Sequence, residues 1–139
     1  MLKRFLAVLS VLSALVVGGT LHADDAAKPA ITNTIQSQLD ALILDDFDQA
    51  FTYASPMIQG MFGTPQNFGT MVSRGYPMVH RPADVSFLDL RSIGGRLYQK
   101  VQISDVEGRI HHLDYEMIQS PNGWKINGVQ LLKTPQVSV

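Results

Sequence analysis

The sequence predicts an α+β fold in which N-terminal helices pack on the concave face of a curved antiparallel sheet of about four strands. Three observations support this prediction. Between residues 31 and 54, apolar side chains recur every three or four positions, as on one face of a helix. From Asp84 onward, apolar and polar residues alternate, as they do in half-buried strands. Glycine-containing turns separate the alternating segments, so successive strands can pair antiparallel.

The first 23 residues are typical of a secretory signal peptide. Lys3 and Arg4 precede an apolar run over residues 5–17, and the small residue Ala23 ends the segment. The run is too short for an ordinary membrane span, although an uncleaved N-terminal anchor is the alternative. We therefore expect an exported protein, periplasmic or secreted, with no membrane contact beyond the signal peptide. A mature tail is expected over residues 24–30 and a single domain over residues 31–139.

Composition excludes several kinds of site and partner. The chain has no cysteine, which rules out disulfides, thiol catalysis and zinc–thiolate centres. Removing the signal peptide takes away Lys3 and Arg4 and leaves nine basic and 12 acidic residues, a net charge of −3. A mildly acidic chain without a basic run argues against nucleic acid as a partner.

Capping signals divide the helical region. Asp45-Asp46 lies inside the apolar stripe, and aspartate prefers caps to helix interiors, so two helices should meet there. Ser55-Pro56 and Thr64-Pro65 each place a hydroxyl before proline, which predicts two further helix starts. The second of these helices should end at Gly75 in a left-handed conformation, with residues 76–82 following as an extended connector.

The strand region has a readable register. After a first strand over residues 85–90, whose facing is left open, the segments 96–104 and 109–119 both carry their apolar residues at odd positions. A three-residue loop pairing Asp105 with Arg109 then places Gln99 opposite Tyr115. It also places Lys100 opposite Asp114, an expected ion pair on the solvent-facing side. A last strand follows over residues 124–132, with a bulge at Asn127-Gly128.

Three phrases carry a family resemblance: "ASPMIQGMFGTPQNFG", "YQKVQISDVEGRIHHLDYEM" and "GWKINGVQLL". They resemble the bacterial family known as domain of unknown function 4864, over about residues 31–132. The resemblance implies kinship with the cone-shaped superfamily of nuclear transport factor 2, ketosteroid isomerase and limonene epoxide hydrolase. In that superfamily helices wrap over a strongly curved antiparallel sheet. The family has no assigned activity, so the resemblance implies no catalytic residue, and the fold itself hosts many functions.

Catalytic candidates are few because the predicted inner face of the sheet carries no Asp or Glu. The candidates are His111, whose ordinary pKa suits a general base, and Tyr115. The place of His111 near a hairpin turn favours a structural role at the rim. His112, Asp114 and Glu116 alternate onto one face, but such residues lie about 6.6 Å apart along a strand and do not easily converge on one ion. We expect no metal and no cofactor.

A ligand pocket is the leading hypothesis for function. Four apolar residues crowd a helix of about two turns, which cannot bury all of them against one sheet, and adaptable methionines suit a pocket mouth. The pocket candidates are Met57, Ile58, Met61, Phe62, Gln99, Tyr115 and Trp124. We expect a non-enzymatic exported module that binds a small apolar ligand or a protein partner. The alternatives are an isomerase- or hydrolase-like enzyme acting on an apolar small molecule, and a homodimeric interaction module.

Overall fold

Five helices followed by four strands make up residues 23–133, the part of the chain that the computed structural model describes. The helices are α1 (Ala23–Ile43), α2 (Phe47–Thr52), α3 (Pro56–Phe62), α4 (Pro65–Gly75) and α5 (Pro77–His80). The strands are β1 (Asp84–Ile93), β2 (Arg96–Ser104), β3 (Ile110–Ser120) and β4 (Gly123–Leu132). The strands form one antiparallel sheet in the order β1-β2-β3-β4. An α+β fold with helices first and a four-stranded antiparallel sheet second is thereby confirmed.

The predicted signal peptide lies outside the described residues except for Ala23. Over residues 23–133, no helix combines the length and the apolar character needed to cross a membrane.

Helix α1 supplies much of the core through the predicted apolar stripe. Ile31, Ile35, Leu39 and Leu42 are all fully buried against the sheet and the other helices. The break at Asp45-Asp46 is confirmed, because α1 ends at Ile43 and the Asp46 side chain caps α2 by accepting a hydrogen bond from the backbone N–H of Gln49.

The structure corrects the prediction of a tail over residues 24–30, because α1 extends back to Ala23. Two contacts explain the added turns. Ala27 packs against the core, and Lys28 Nζ donates a hydrogen bond of 2.8 Å to the carbonyl oxygen of Leu88 on β1. Pro29 lies inside the helix and lacks a donor for it. Tertiary contacts with β1 therefore override a local sequence that is typical of a tail.

The caps of α3 and α4 and the end of α4 at Gly75 are confirmed, whereas the left-handed conformation predicted for Gly75 is wrong. Ser55 Oγ and Thr64 Oγ1 accept hydrogen bonds from the third residue of their helices. Gly75 is the last residue of α4 and has no positive φ. The extended connector is also wrong, because Pro77 starts the single turn α5, which buries Met78 and Val79 in the core. Burial of these two side chains is the physical reason for the extra turn.

The predicted register between β2 and β3 is confirmed. Gln99 lies opposite Tyr115, and the loop closes through a hydrogen bond from the N–H of Asp105 to the carbonyl of Arg109. Gly108 takes the left-handed conformation there, with φ of 80°. The bulge in β4 is confirmed at Asn127, since the register between β3 and β4 shifts by one residue at this point.

The expected ion pair between Lys100 and Asp114 does not form among the described residues. The two residues are register partners, but the Asp114 carboxylate binds the guanidinium of Arg91 on β1 instead. Asp114 is also only 8% exposed, so this part of the outer sheet face is not simply solvent-facing. A bulge between Phe87 and Leu90, which the sequence did not reveal, fixes the register that brings Arg91 within reach.

Candidate functional site

A cavity of about 220 Å³ lies between the helices and the inner face of the sheet. Most of its helical wall is apolar and comes from two consecutive helices. These residues are Ile58, Met61 and Phe62 of α3 and Phe68, Met71 and Val72 of α4. On the opposite side, Tyr115 of β3 and Ile126 and Val129 of β4 form the wall made by the sheet.

Helix α3, which covers the cavity, is anchored at its start and only partly buried along its length. The N–H of Ser55 donates to the carbonyl of Ile126, and Ser55 Oγ donates to Asn127 Oδ1 at 2.7 Å. This anchor ties the start of α3 to the bulge in β4. Yet no residue of α3 is fully buried, and Met61 remains 66% exposed. Helix α3 therefore forms one wall of the cavity, opposite the sheet.

Tyr115 of the sheet wall has a buried hydroxyl without a hydrogen-bond partner among the described residues. The residue as a whole is fully buried. Burial, with a smaller effect of the nearby Tyr76, raises the pKa of the Tyr115 hydroxyl, so the group stays protonated at neutral pH. An unpartnered buried donor costs about 1–3 kcal/mol. The fold retains this hydroxyl, on a residue that lines the cavity, despite that cost.

Two other polar side chains of the lining donate hydrogen bonds to backbone carbonyls. Tyr76 donates its hydroxyl hydrogen to the carbonyl of Val129 at 3.2 Å. Gln38 Nε2 donates to the carbonyl of Ala50 at 3.2 Å. The described lining includes no Asp, Glu, His, Lys or Arg. Such a cavity can enclose an apolar molecule and offer it one hydroxyl donor, but it presents no general base.

Four of the seven pocket candidates from the sequence line this cavity: Ile58, Met61, Phe62 and Tyr115. The structure places the other three elsewhere. Met57 is 54% exposed and lies outside the lining. Gln99 is fully buried, with its Nε2 donating to the carbonyls of Leu88 and Lys100. Trp124 borders a separate hollow at the end of the sheet.

The two catalytic candidates are not brought together. His111 lies at the hairpin between β2 and β3, where its Nε2 is 2.9 Å from Asp105 Oδ2. This contact, followed by backbone hydrogen bonds from Arg109 and Glu107, lowers the pKa of the Asp105 carboxyl. Because His111 is outside the cavity lining, it cannot serve Tyr115 as a base.

The polar strand residues considered for metal binding have other partners. His112 contacts Gln102, Asp114 binds Arg91, and Glu116 pairs with Arg96. Across residues 23–133, no three His, Cys, Asp or Glu side chains form a group that could hold a metal ion.

Several lining residues were not named as site candidates from the sequence. They include Met71 and Val72 of α4, Val79 of α5 and Val129 of β4. The apolar periodicity of α4 marks its inward face, and the bulge at Asn127 returns Val129 to the inner side. Each signal indicates burial, but neither indicates that these side chains meet around a space.

Comparison with known proteins gives a family but no function. No curated protein and no solved structure matched the chain. The model of one family, described as domain of unknown function (DUF4864), matches residues 24–139. That range contains all the residues that line the cavity. The chain belongs to the domain of unknown function 4864 family.

Proposed function

We propose that this protein is an exported, non-enzymatic binding module that holds a small apolar molecule in the cavity between α3, α4 and the sheet. The cavity itself carries the proposal. It is concave, it has an almost entirely apolar lining, and its volume of about 220 Å³ exceeds the roughly 150 Å³ that suffices for benzene. Pockets that bind small molecules have this character, with a few polar groups on apolar walls.

We also propose the cone-shaped fold of the nuclear transport factor 2 superfamily. The order of elements, helices first and an antiparallel sheet second, supports it. The bulges in β1 and β4 support it too, because bulges bend a strand and increase its twist. In a sheet curved in this way, the space beneath α3 is the interior of the cone.

Export is proposed from the first 23 residues. Their basic start, apolar run and terminal Ala23 have the composition of a signal peptide. The family match begins at residue 24, the first residue after the proposed cleavage site. A periplasmic location would expose the cavity to small molecules that enter from outside the cell.

Binding is proposed rather than catalysis because the described lining lacks an ionisable base. An isomerase or hydrolase would need a group that takes up a proton beside the bound molecule. Tyr115 stays protonated, and His111 lies at the far hairpin. A small ligand is proposed rather than a protein partner because the apolar surface is concave, whereas the outer sheet face carries the ion pairs of Arg91 and Arg96.

Native mass spectrometry of protein purified from the periplasm tests the proposal, with two matched variants of α3. Ile58→Trp adds an indole to a residue of the lining and should fill the cavity. Met57→Trp adds the same group to the exposed neighbour outside the lining. We expect a co-purified small molecule on the wild type and on Met57→Trp, but not on Ile58→Trp. If no additional mass appears and a panel of lipophiles gives no thermal shift, the proposed function is wrong.

A further inference from the structure

The unpartnered hydroxyl of Tyr115 limits which apolar molecule the cavity accepts. We infer that the ligand is neutral and carries a single hydrogen-bond acceptor, of the ketone, aldehyde or ester kind, which receives the Tyr115 hydroxyl hydrogen. This inference rests on the proposed function and specifies its ligand.

The hydrogen bonds of the lining residues indicate that the ligand carries a hydrogen-bond acceptor. The Tyr76 hydroxyl donates its hydrogen to the Val129 carbonyl, and Gln38 Nε2 donates to the Ala50 carbonyl. Tyr115 is the lining residue whose hydroxyl is fully buried and has no partner among residues 23–133. A carbonyl oxygen on the ligand supplies what this hydroxyl lacks, because a carbonyl accepts hydrogen bonds and cannot donate them.

The absence of charge in the described lining excludes an ionised ligand. A carboxylate buried there would lose its hydration without meeting a lysine, arginine or histidine, which is costly. A hydrocarbon would fit the walls but would leave the Tyr115 hydroxyl unpaired. A neutral carbonyl compound satisfies both conditions.

Reaching the hydroxyl requires a lining side chain to move. Tyr115 lines the cavity but is closed off from solvent, so a ligand oxygen cannot meet its hydroxyl while the side chains around it stay in place. Met61 and Met71 border the same space, and the unbranched methionine side chain adapts readily to a new neighbour. Their adjustment would open the approach while the backbone of the sheet stays in place.

A matched pair of probes tests the inference by isothermal titration calorimetry. Acetophenone carries a carbonyl where α-methylstyrene carries a methylene of similar size and shape. We expect the wild type to bind acetophenone roughly threefold to tenfold more tightly than α-methylstyrene, the gain typical of one hydrogen bond. Tyr115→Phe should bind α-methylstyrene as the wild type does and lose the preference. Tyr53→Phe, the control, should keep it because the Tyr53 hydroxyl contacts Gln49 outside the cavity lining.

The outcomes separate this inference from the proposed function. Equal affinity of the wild type for the two probes, or a preference that survives Tyr115→Phe, would overturn the inference alone. Binding of neither probe would count against the cavity as a binding site and so against both proposals. The infrared carbonyl stretch of bound acetophenone gives a readout that needs no variant. A shift to lower frequency relative to an alkane solution is expected, and an unshifted band contradicts the hydrogen bond.

Discussion

The carboxylate of Asp114 accepts two hydrogen bonds from the guanidinium of Arg91, at 2.9 and 2.6 Å. Arg91 lies on β1 and Asp114 on β3, so the pair reaches across β2 and ties the edge strand to the centre of the sheet. The bidentate geometry and the 10% side-chain exposure of Asp114 set this pair apart from ordinary surface ion pairs.

Removal of this carboxylate should destabilise the fold. Asp114→Ala leaves Arg91 partly buried without its partner, and we expect the free energy of unfolding to fall by about 2–4 kcal/mol. Lys100→Ala, at the register partner, should cost less than about 0.5 kcal/mol. Urea denaturation measures both values. Equal losses in the two variants would show that Arg91 is not the partner that matters.

Tyr115 should make stability fall at alkaline pH. Burial raises the pKa of its hydroxyl above the ordinary value near 10, so the folded state keeps a proton that the unfolded state releases. The stabilising effect is complete below about pH 10 and is lost progressively at higher pH. Urea denaturation at increasing pH should show this decline in the wild type and a shallower one in Tyr115→Phe. The same slope in both proteins would contradict it.

Asp45 should make stability fall at acid pH. His80, followed by Arg81, holds the pKa of the Asp45 carboxyl below its ordinary value through hydrogen bonds. The folded state therefore favours the ionised carboxyl, and its stabilising effect is lost as the pH falls below about 4. Asp45→Asn should lessen that loss, and asparagine also tolerates the φ of 54° found here. Urea midpoints between pH 6 and 2, at intervals of about one unit, measure the effect. A decline in Asp45→Asn as steep as that of the wild type would refute the assignment. Asp89→Asn, at an exposed site on β1, is the control and should decline as the wild type does.

Gly69 should resist the smallest possible substitution. A Cβ placed there would lie 2.5 Å from ring carbons of Phe47, where α4 crosses α2. We expect Gly69→Ala to cost about 1–3 kcal/mol, because the ring must move within a packed core. Gly60→Ala in α3 meets no atom within 4 Å and should instead stabilise the protein by about 0.5–1 kcal/mol. Thermal denaturation of the two variants gives the comparison, and a destabilised Gly60→Ala with a neutral Gly69→Ala would contradict the packing.

Local sequence signals predicted the fold where a few residues determine the geometry. The loop closed by Asp105 and Arg109 sets the whole register of β2 against β3, because each later pair follows from it. In the same way, Asn127 and the glycine after it predicted the bulge in β4. The start of α1 and the turn α5 were missed because distant contacts hold them: Lys28 reaches β1, and Met78 enters the core.

The candidate site was predictable only in part, for a related reason. Too many apolar residues for a short helix pointed to Met61 and its neighbours, and the inward register pointed to Tyr115. Gln99 shares that inward face, but its Nε2 donates to two backbone carbonyls and the residue lies outside the cavity lining. Periodicity reports which face a side chain occupies. It does not report whether that face is filled or hollow, which decides whether a cavity forms.

Methionine methyl NMR tests the central claim most directly. The chain has six methionines, of which Met61 and Met71 line the cavity, whereas Met57 is exposed outside it and Met117 is buried elsewhere on the sheet. Protein labelled with ¹³C at the methionine methyl groups would be titrated with α-methylstyrene. We predict intermolecular nuclear Overhauser effects from the probe to Met61 and Met71, with none to Met57 or Met117. Contacts to Met57 alone, or contacts to none of the four, would contradict a ligand site beneath α3.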